Sequence, residues 1–326
     1  MLKIAKNLIV AASLLAAGTA SAEEVLRGVA ALPENNVITQ SFLRYVDMVN
    51  EAGKGVVSIQ FVGGPEAIPP TQQDTALRNG VVDIQGGPAG YYKGVIPESD
   101  AFTGATVDAA TARANGGFDM LAEVWKDKLG ARLLAWNGAG TQYYVYLSQE
   151  PELNEDGSLN LEGMKLRSAG TYRDWFSSMG AENVMMKQSE VFSALERGVV
   201  DGFGWITFVS DIGVNRLIKA RVGPAVWQGS PVIMMNDRRF ESLSPQAQEI
   251  LTDAALALEV EIAAGIKARI AQEEARLAAD GVTLIEMEGE AGQNHVANAH
   301  KVVWDALAAK EPEFAAKIRP LMYPDN

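Results

Sequence analysis

The residue best placed to do chemistry is Arg167, at the end of the alternating run Met164-Lys165-Leu166-Arg167-Ser168, just before Ala169-Gly170. Its guanidinium offers a planar fork of N–H donors suited to gripping a carboxylate in two bonds. A strand end that passes into a helix faces the crevice of an open α/β sheet, where ligands bind. Spacing alone also allows the commoner role of a solvated surface charge. Other chemistry is thinly represented. His295 and His300 lie five residues apart, off a single helical face, so they are expected at or near the surface, without a metal. The chain has no cysteine, which removes disulfides, zinc–thiolate sites and thiol catalysis. No G-x-S-x-G is present, and carboxylates such as Glu190 and Asp201 form only the pairs any acidic chain supplies. Gly86-Gly87-Pro88-Ala89-Gly90 could bring backbone close to a ligand or be a loop needing positive φ. It lacks the spacing of a phosphate-binding loop, so no cofactor is expected.

The elements that must position Arg167 run from Leu161 to Trp205. A strand ends near Ser168, and Thr171 caps a helix that reaches Met179, with Asp174 three residues on from the cap. Gly180 stops that helix. A second strand spans Asn183 to Met186, Ser189 opens a helix ending near Gly198, and a third strand starts at Val199. The first third of the chain repeats this β-α-β-α-β order, with strands at Val25–Ala30, Val56–Val62 and Val81–Gln85. An amphipathic helix from Asp119 to Leu129 precedes strands at Arg132–Trp136 and Tyr143–Leu147, and another strand spans Pro231–Met235. From Ser244 or Pro245 a long helix runs to about Ala279, with Ile250, Leu251, Ala254, Leu258, Ile262, Ile266, Ile270 and Leu277 at helical spacing. A strand at Val282–Glu286 and helices at His295–Leu307 and Glu313–Ile318 close the chain.

Met1 to Ala22 reads as an export signal: Lys3 and Lys6, an apolar run from Leu8 to Ala17, and Ala20-Ser21-Ala22 as the cleavage site. The mature chain is then expected in the periplasm, starting at Glu23. The 48% apolar and 21% charged composition is that of a globular protein, and the net charge of −13 argues against nucleic-acid binding. An anionic ligand would need a local cation within that acidic surface.

Lys165-Leu166-Arg167, Gly180-Ala181, Glu190-Val191-Phe192, Ala194-Leu195 and Gly198-Val199-Val200-Asp201-Gly202 together closely resemble the solute-binding proteins of tripartite ATP-independent periplasmic (TRAP) transporters, DctP type. The pattern spans more than forty residues and is far more specific than a short motif. The resemblance implies an α/β, periplasmic-binding-protein-like fold of two lobes with a long helix spanning both. Residues 23–140 and about 233–270 are expected in lobe I, and 141–232 and about 271–326 in lobe II. It implies a receptor without enzymatic activity that binds a small organic acid for sodium-coupled uptake by TRAP membrane subunits, as a monomer that does not itself insert in the membrane. Arg167 would take the carboxylate. Gln142 stands where many relatives carry an arginine or other polar residue, and Trp205 matches a ligand-contacting position. Tyr144, Trp175, Gln188 and Gly87 complete the candidate set. Gly204 replaces the glutamate of a metal-using branch, so no metal is expected. With one cation at the site, a monocarboxylate with an uncharged, aromatic or hydroxylated body is the expected ligand. A C4-dicarboxylate, an ABC-type binding protein and an exported hydrolase are the alternatives.

Overall fold

The structure, a computed structural model, describes residues 23–170 and 172–324. The expected leader up to Ala22 and the expected cap at Thr171 lie outside the described residues. Two sheets carry the fold. The first uses β1 (Glu24–Ala30), β2 (Val57–Gly63), β3 (Ile84–Pro88) and β4 (Ala131–Ala135). The second uses β5 (Tyr143–Leu147), β8 (Lys165–Ser168), β9 (Glu182–Met185), β10 (Gly202–Ile206) and β11 (Ala220–Gly223). A two-strand ribbon, β6 (Glu152–Leu153) with β7 (Leu159–Asn160), stands apart. After β11 the chain returns to the first sheet as β12 (Pro231–Asn236), then re-enters the second as β13 (Thr283–Glu286). The strand orders are β2-β1-β3-β12-β4 and β13-β11-β5-β10-β8-β9. In both sheets the β-α-β units pair in parallel, while the strands that follow a crossing, β5 and β12, are antiparallel to their neighbours.

The crossings between lobes are tight. Trp136 donates its indole N–H to the Gly229 carbonyl at 2.8 Å, Gly138 N–H reaches the Pro231 carbonyl at 3.0 Å, and Gly229 N–H reaches the Thr141 carbonyl at 2.9 Å. A Cβ at Gly229 would fall on the Thr141 hydroxyl, and one at Gly138 on the Pro231 ring. Two backbone segments can approach this closely only where both lack a side chain.

The third link is the helix Pro245–Ala279, 35 residues long and so about 50 Å. Ser244 caps it by accepting from Ala247 N–H. Its first half buries Leu251, Ala255 and Leu258 with Phe42 and Tyr45 of the first lobe, and its second half buries Ile266 and Leu277 with the second. A buried carboxylate pins each half. Glu259 accepts from Arg113 and from Trp136 N–H at 2.7 Å, and Glu273 from Ser210 N–H at 2.8 Å.

Several expectations are corrected. The segment 304–322 does not pack with the second lobe. Helix Gly289–Lys310 starts there, through Ala291, Ala299 and Val303. Trp304 and Leu307, with Ala315, Ile318 and Met322 of helix Pro312–Met322, then join Phe102 and Trp125 in the first lobe's core. Both histidines are buried, because their helix is covered by both lobes. The third strand begins at Ile84 rather than Val81, and Gly86 and Gly87 lie in it without positive φ. The helix expected after Ser189 is a 3₁₀ turn, Gln188–Glu190, followed by Val191–Glu196. Among the described residues no helix is long and apolar enough to cross a membrane.

Candidate ligand-binding site

Arg167 sits at the carboxyl end of β8, paired with Phe203 of β10, which in turn pairs with Tyr146 of β5. That register puts Arg167, Phe203, Tyr146, Trp205, Tyr144 and Gln142 on one face of the second sheet. The arginine is 2% exposed. Its Nε and Nη2 donate to the Met186 carbonyl at 3.2 and 3.1 Å, while the buried Nη1 has no partner among the described residues. Burial therefore lowers its pKa below the ordinary guanidinium value, with Tyr172, Tyr91 and Glu190 opposing the shift. A buried guanidinium with an N–H unpaired among the described residues can still donate to a further acceptor, and one carrying negative charge suits it best. The Trp205 ring lies 5.8 Å from Cζ, at the outer range of a cation–π contact, and its buried indole N–H has no partner among the described residues.

On the opposite face of this sheet, over Gly204, stand aromatic groups that the sequence did not single out. Tyr172 and Tyr143 have ring centroids 5.7 Å apart, and Trp227 lies 6.1 Å from Tyr143 and 6.4 Å from Tyr172. A Cβ at Gly204 would come within 2.5 Å of the Tyr172 ring, so that ring packs directly on the glycine. From the first lobe Tyr91, in the short turn Ala89–Tyr92, is 40% exposed. Enough protein surrounds its phenol to raise the pKa all the same, and Arg167 is close enough to oppose the rise.

The other expected residues divide. Gln142 and Tyr144 share the face of Arg167, but they serve each other: the Tyr144 hydroxyl donates to Gln142 Oε1 at 3.0 Å. Tyr144 also lies under a second buried guanidinium, Arg221, at 4.1 Å. Arg221 is itself held by Glu274 and Glu286, both at 2.8 Å, so its charge is answered within the protein. Gln188 is half-buried two residues beyond Met186, in the turn that brings that carbonyl to Arg167. Trp175 is fully buried between Phe176, Trp227 and His295, one layer behind Tyr172 rather than beside Arg167. The glycine at 87 has a packing cause: an added Cβ would meet Ala31 at 2.5 Å.

Two cavities open elsewhere. One, of about 20 Å³, lies behind the crossings between Ile38, Ile206, Phe208 and Ile266, and holds a single water at most. The other, about 250 Å³, lies at the far end of the second lobe by Glu152, Glu162 and Asp201. Arg167 lines neither, and neither sets buried cationic donors before its space. The first is also lined by the lobe crossings at Gly138, Thr141 and Pro231 and by the exposed Arg269.

Residues 29–311 match the bacterial extracellular solute-binding proteins, family 7, known as DctP. A curated relative, the monocarboxylate 2-oxoacid-binding periplasmic protein of Nostoc sp., is 24% identical over 161 residues, 48% of this chain and 43% of its own length. A TRAP transporter solute-binding protein from Bordetella bronchiseptica, solved with calcium and picolinate, superposes with a TM-score of 0.79 at 22% identity, covering 93% of this chain and 92% of its own. DctP7 of Bordetella pertussis, an extracytoplasmic solute receptor binding pyroglutamic acid, gives 0.77 at 18% identity, with 91% and 99% covered. A Colwellia psychrerythraea protein bound to calcium and pyruvate gives 0.77 at 19%, with 92% and 93% covered. The family is one of transport receptors rather than enzymes. With its two α/β lobes and the match over nearly the whole described chain, the protein belongs to the DctP family of bacterial extracellular solute-binding proteins.

Proposed function

We propose that the protein is the extracytoplasmic receptor of a TRAP transporter for a small organic acid, a monocarboxylate with an uncharged body. The observation that carries this reading is the buried guanidinium of Arg167, with two N–H groups spent on the Met186 carbonyl and Nη1 unanswered. A ligand carboxylate is the acceptor that this arrangement lacks. One charge rather than two is favoured because the other buried guanidinium on that face, Arg221, is already neutralised by Glu274 and Glu286. A second ligand carboxylate would face Tyr144 and Gln142, which carry no charge. The relatives named above bind acids of this size, with or without calcium.

At ~4 Å and an effective dielectric near 20 the ion pair contributes on the order of 4 kcal/mol before desolvation. A micromolar complex needs about 8 kcal/mol, so the remainder comes from closure of the lobes over the ligand body. The crossings at Gly138–Thr141 and Gly229–Pro231, where backbones touch without side chains, are where such bending occurs. The closed receptor then docks on the membrane subunits, after export to the periplasm and removal of the leader at Ala22.

A thermal-shift screen of purified Glu23–Asn326 against mono- and dicarboxylates tests the reading, since a ligand that binds only the folded form raises its midpoint. A monocarboxylate is expected to give the largest shift. A larger shift with dicarboxylates alone would reassign the ligand class, and turnover of an acid or ester would replace a receptor with an enzyme.

A further inference from the structure

We propose that Glu190 is a positioning residue for Arg167: its carboxylate holds the 186–187 peptide group by the N–H, and the carbonyl of that same peptide holds the guanidinium. Glu190 acts on the ligand only through this link. The inference rests on the carboxylate-receptor reading and deepens it, by naming what fixes the orientation of the cation.

The link is a single peptide unit. Arg167 Nε and Nη2 donate to the Met186 carbonyl at 3.2 and 3.1 Å. The amide bonded to that carbonyl is Lys187 N–H, which donates to Glu190 Oε2 at 2.9 Å. A peptide group is planar and trans, so its N–H and C=O point in opposite directions and cannot turn separately. A carboxylate and a guanidinium therefore grip the two ends of one rigid group, and a rotation that breaks one bond breaks the other. Both flanks of that group are anchored. Before it, Met185 of β9 pairs with Ser168 of β8. After it, Glu190 N–H donates back to the Lys187 carbonyl at 3.1 Å, and Val191 is fully buried with Ala194 and Leu195 in the second lobe's core. The turn Gln188–Glu190 is thus closed by two bonds between Lys187 and Glu190.

Glu190 also acts by its charge. A carboxylate at the N–H end polarises the peptide and makes its carbonyl a stronger acceptor for the guanidinium. Burial lowers the Arg167 pKa while Tyr172, Tyr91 and Glu190 oppose the shift, and Glu190 is the carboxylate of that set. The same negative charge competes with an anionic ligand for the cation. Its two roles therefore move affinity in opposite directions: the cap raises it by holding Arg167 in place, and the charge lowers it.

The test separates the two roles by substitution. Glutamine keeps an oxygen that accepts from Lys187 N–H and removes the charge, whereas alanine removes both. Calorimetry with pyruvate and malonate as probes is expected to rank Glu190→Gln tightest, then the wild type, then Glu190→Ala. Glutamine should bind about two- to fivefold more tightly than glutamate, and alanine about tenfold more weakly than glutamine. Because Glu190 is exposed, ligand-free thermal midpoints should stay within about 2 °C of the wild type. The Arg167 Nε–H proton, identified in NMR spectra by its loss in Arg167→Met, reads the positioning without any ligand. Its exchange with water should quicken at least about tenfold in Glu190→Ala and stay slow in Glu190→Gln. Equal affinities in the two variants, or an Nε–H that stays protected in the alanine variant, would overturn the positioning role and leave the receptor reading standing. If no acid binds the wild type, the receptor reading fails, and the exchange rates still decide whether Glu190 holds Arg167.

Discussion

Replacing Arg167 by methionine separates binding from stability in a way few substitutions do. Methionine keeps most of the side-chain length and removes the charge. In the ligand-free protein the guanidinium is buried and its Nη1 unpaired, and burial holds its pKa below the ordinary value. The sign follows: a base whose folded pKa is depressed makes its protonated form a cost to the fold at every pH below that pKa, neutral pH included. Desolvation of the charge costs several kcal/mol. Against it stand the two N–H bonds to the Met186 carbonyl, worth about 2–3 kcal/mol together. The balance favours methionine by roughly 1–2 kcal/mol, or about 2–4 °C in midpoint for a chain of this size. Binding moves the other way: loss of the ion pair weakens the ligand by about 2–4 kcal/mol, some thirty- to thousandfold. Scanning fluorimetry without ligand and calorimetry with the acid found by screening read the two effects independently. Affinity retained within about threefold would remove Arg167 from the site. A ligand-free midpoint lowered by more than about 4 °C would show that the side chain is a structural strut, refuting the argument from the free Nη1.

Arg221→Met should reverse that pattern, costing about 1–2 kcal/mol of stability by freeing Glu274 and Glu286 while leaving affinity near that of the wild type; a hundredfold loss of affinity would move the ligand to the other guanidinium. Gly204→Ala forces a methyl against the Tyr172 ring and is expected to destabilise by about 1–3 kcal/mol and to weaken binding, both read by calorimetric titration and denaturant unfolding. His295, its pKa lowered to about 4 by burial, is held neutral in the fold. Its contribution is present above the unfolded pKa near 6.5 and is lost as pH falls through about 4, a change of about 3 kcal/mol. His295→Gln should flatten the pH dependence of the denaturant midpoint across that window, and an unchanged slope would assign the acid sensitivity to other groups.

The alternation and glycine punctuation of the chain were enough to place most strands within a few residues, and Pro245–Ala279 was legible from its apolar spacing and its Ser244 cap. Local pattern works there because each element's burial is set by its own periodicity. It misplaced β3 because Val81 and Val82 look like strand but sit in the turn before it, with the strand continuing through glycines whose side-chain space is taken by Phe42 and Ala31. It read both histidines as peripheral because five residues apart they miss a single helical face, whereas in the fold both lobes cover their helix. Its strand-end position made Arg167 a candidate, and the long residue pattern weighed against the commoner role of a surface charge. Tyr91, Tyr143 and Tyr172 carried no such signal, since isolated tyrosines occur everywhere.

What the linear order determined was the two-lobe α/β plan, the family and the one cation at a strand end, each written in residues close to one another along the chain. What only the folded molecule decided was which cation stays free. Arg167 and Arg221 lie on one face of one sheet, but Glu274 and Glu286 reach Arg221 from the long helix and from β13, while no carboxylate among the described residues pairs with Arg167. Charge balance inside a protein depends on which segments meet, and those segments lie more than fifty residues from Arg221 in sequence.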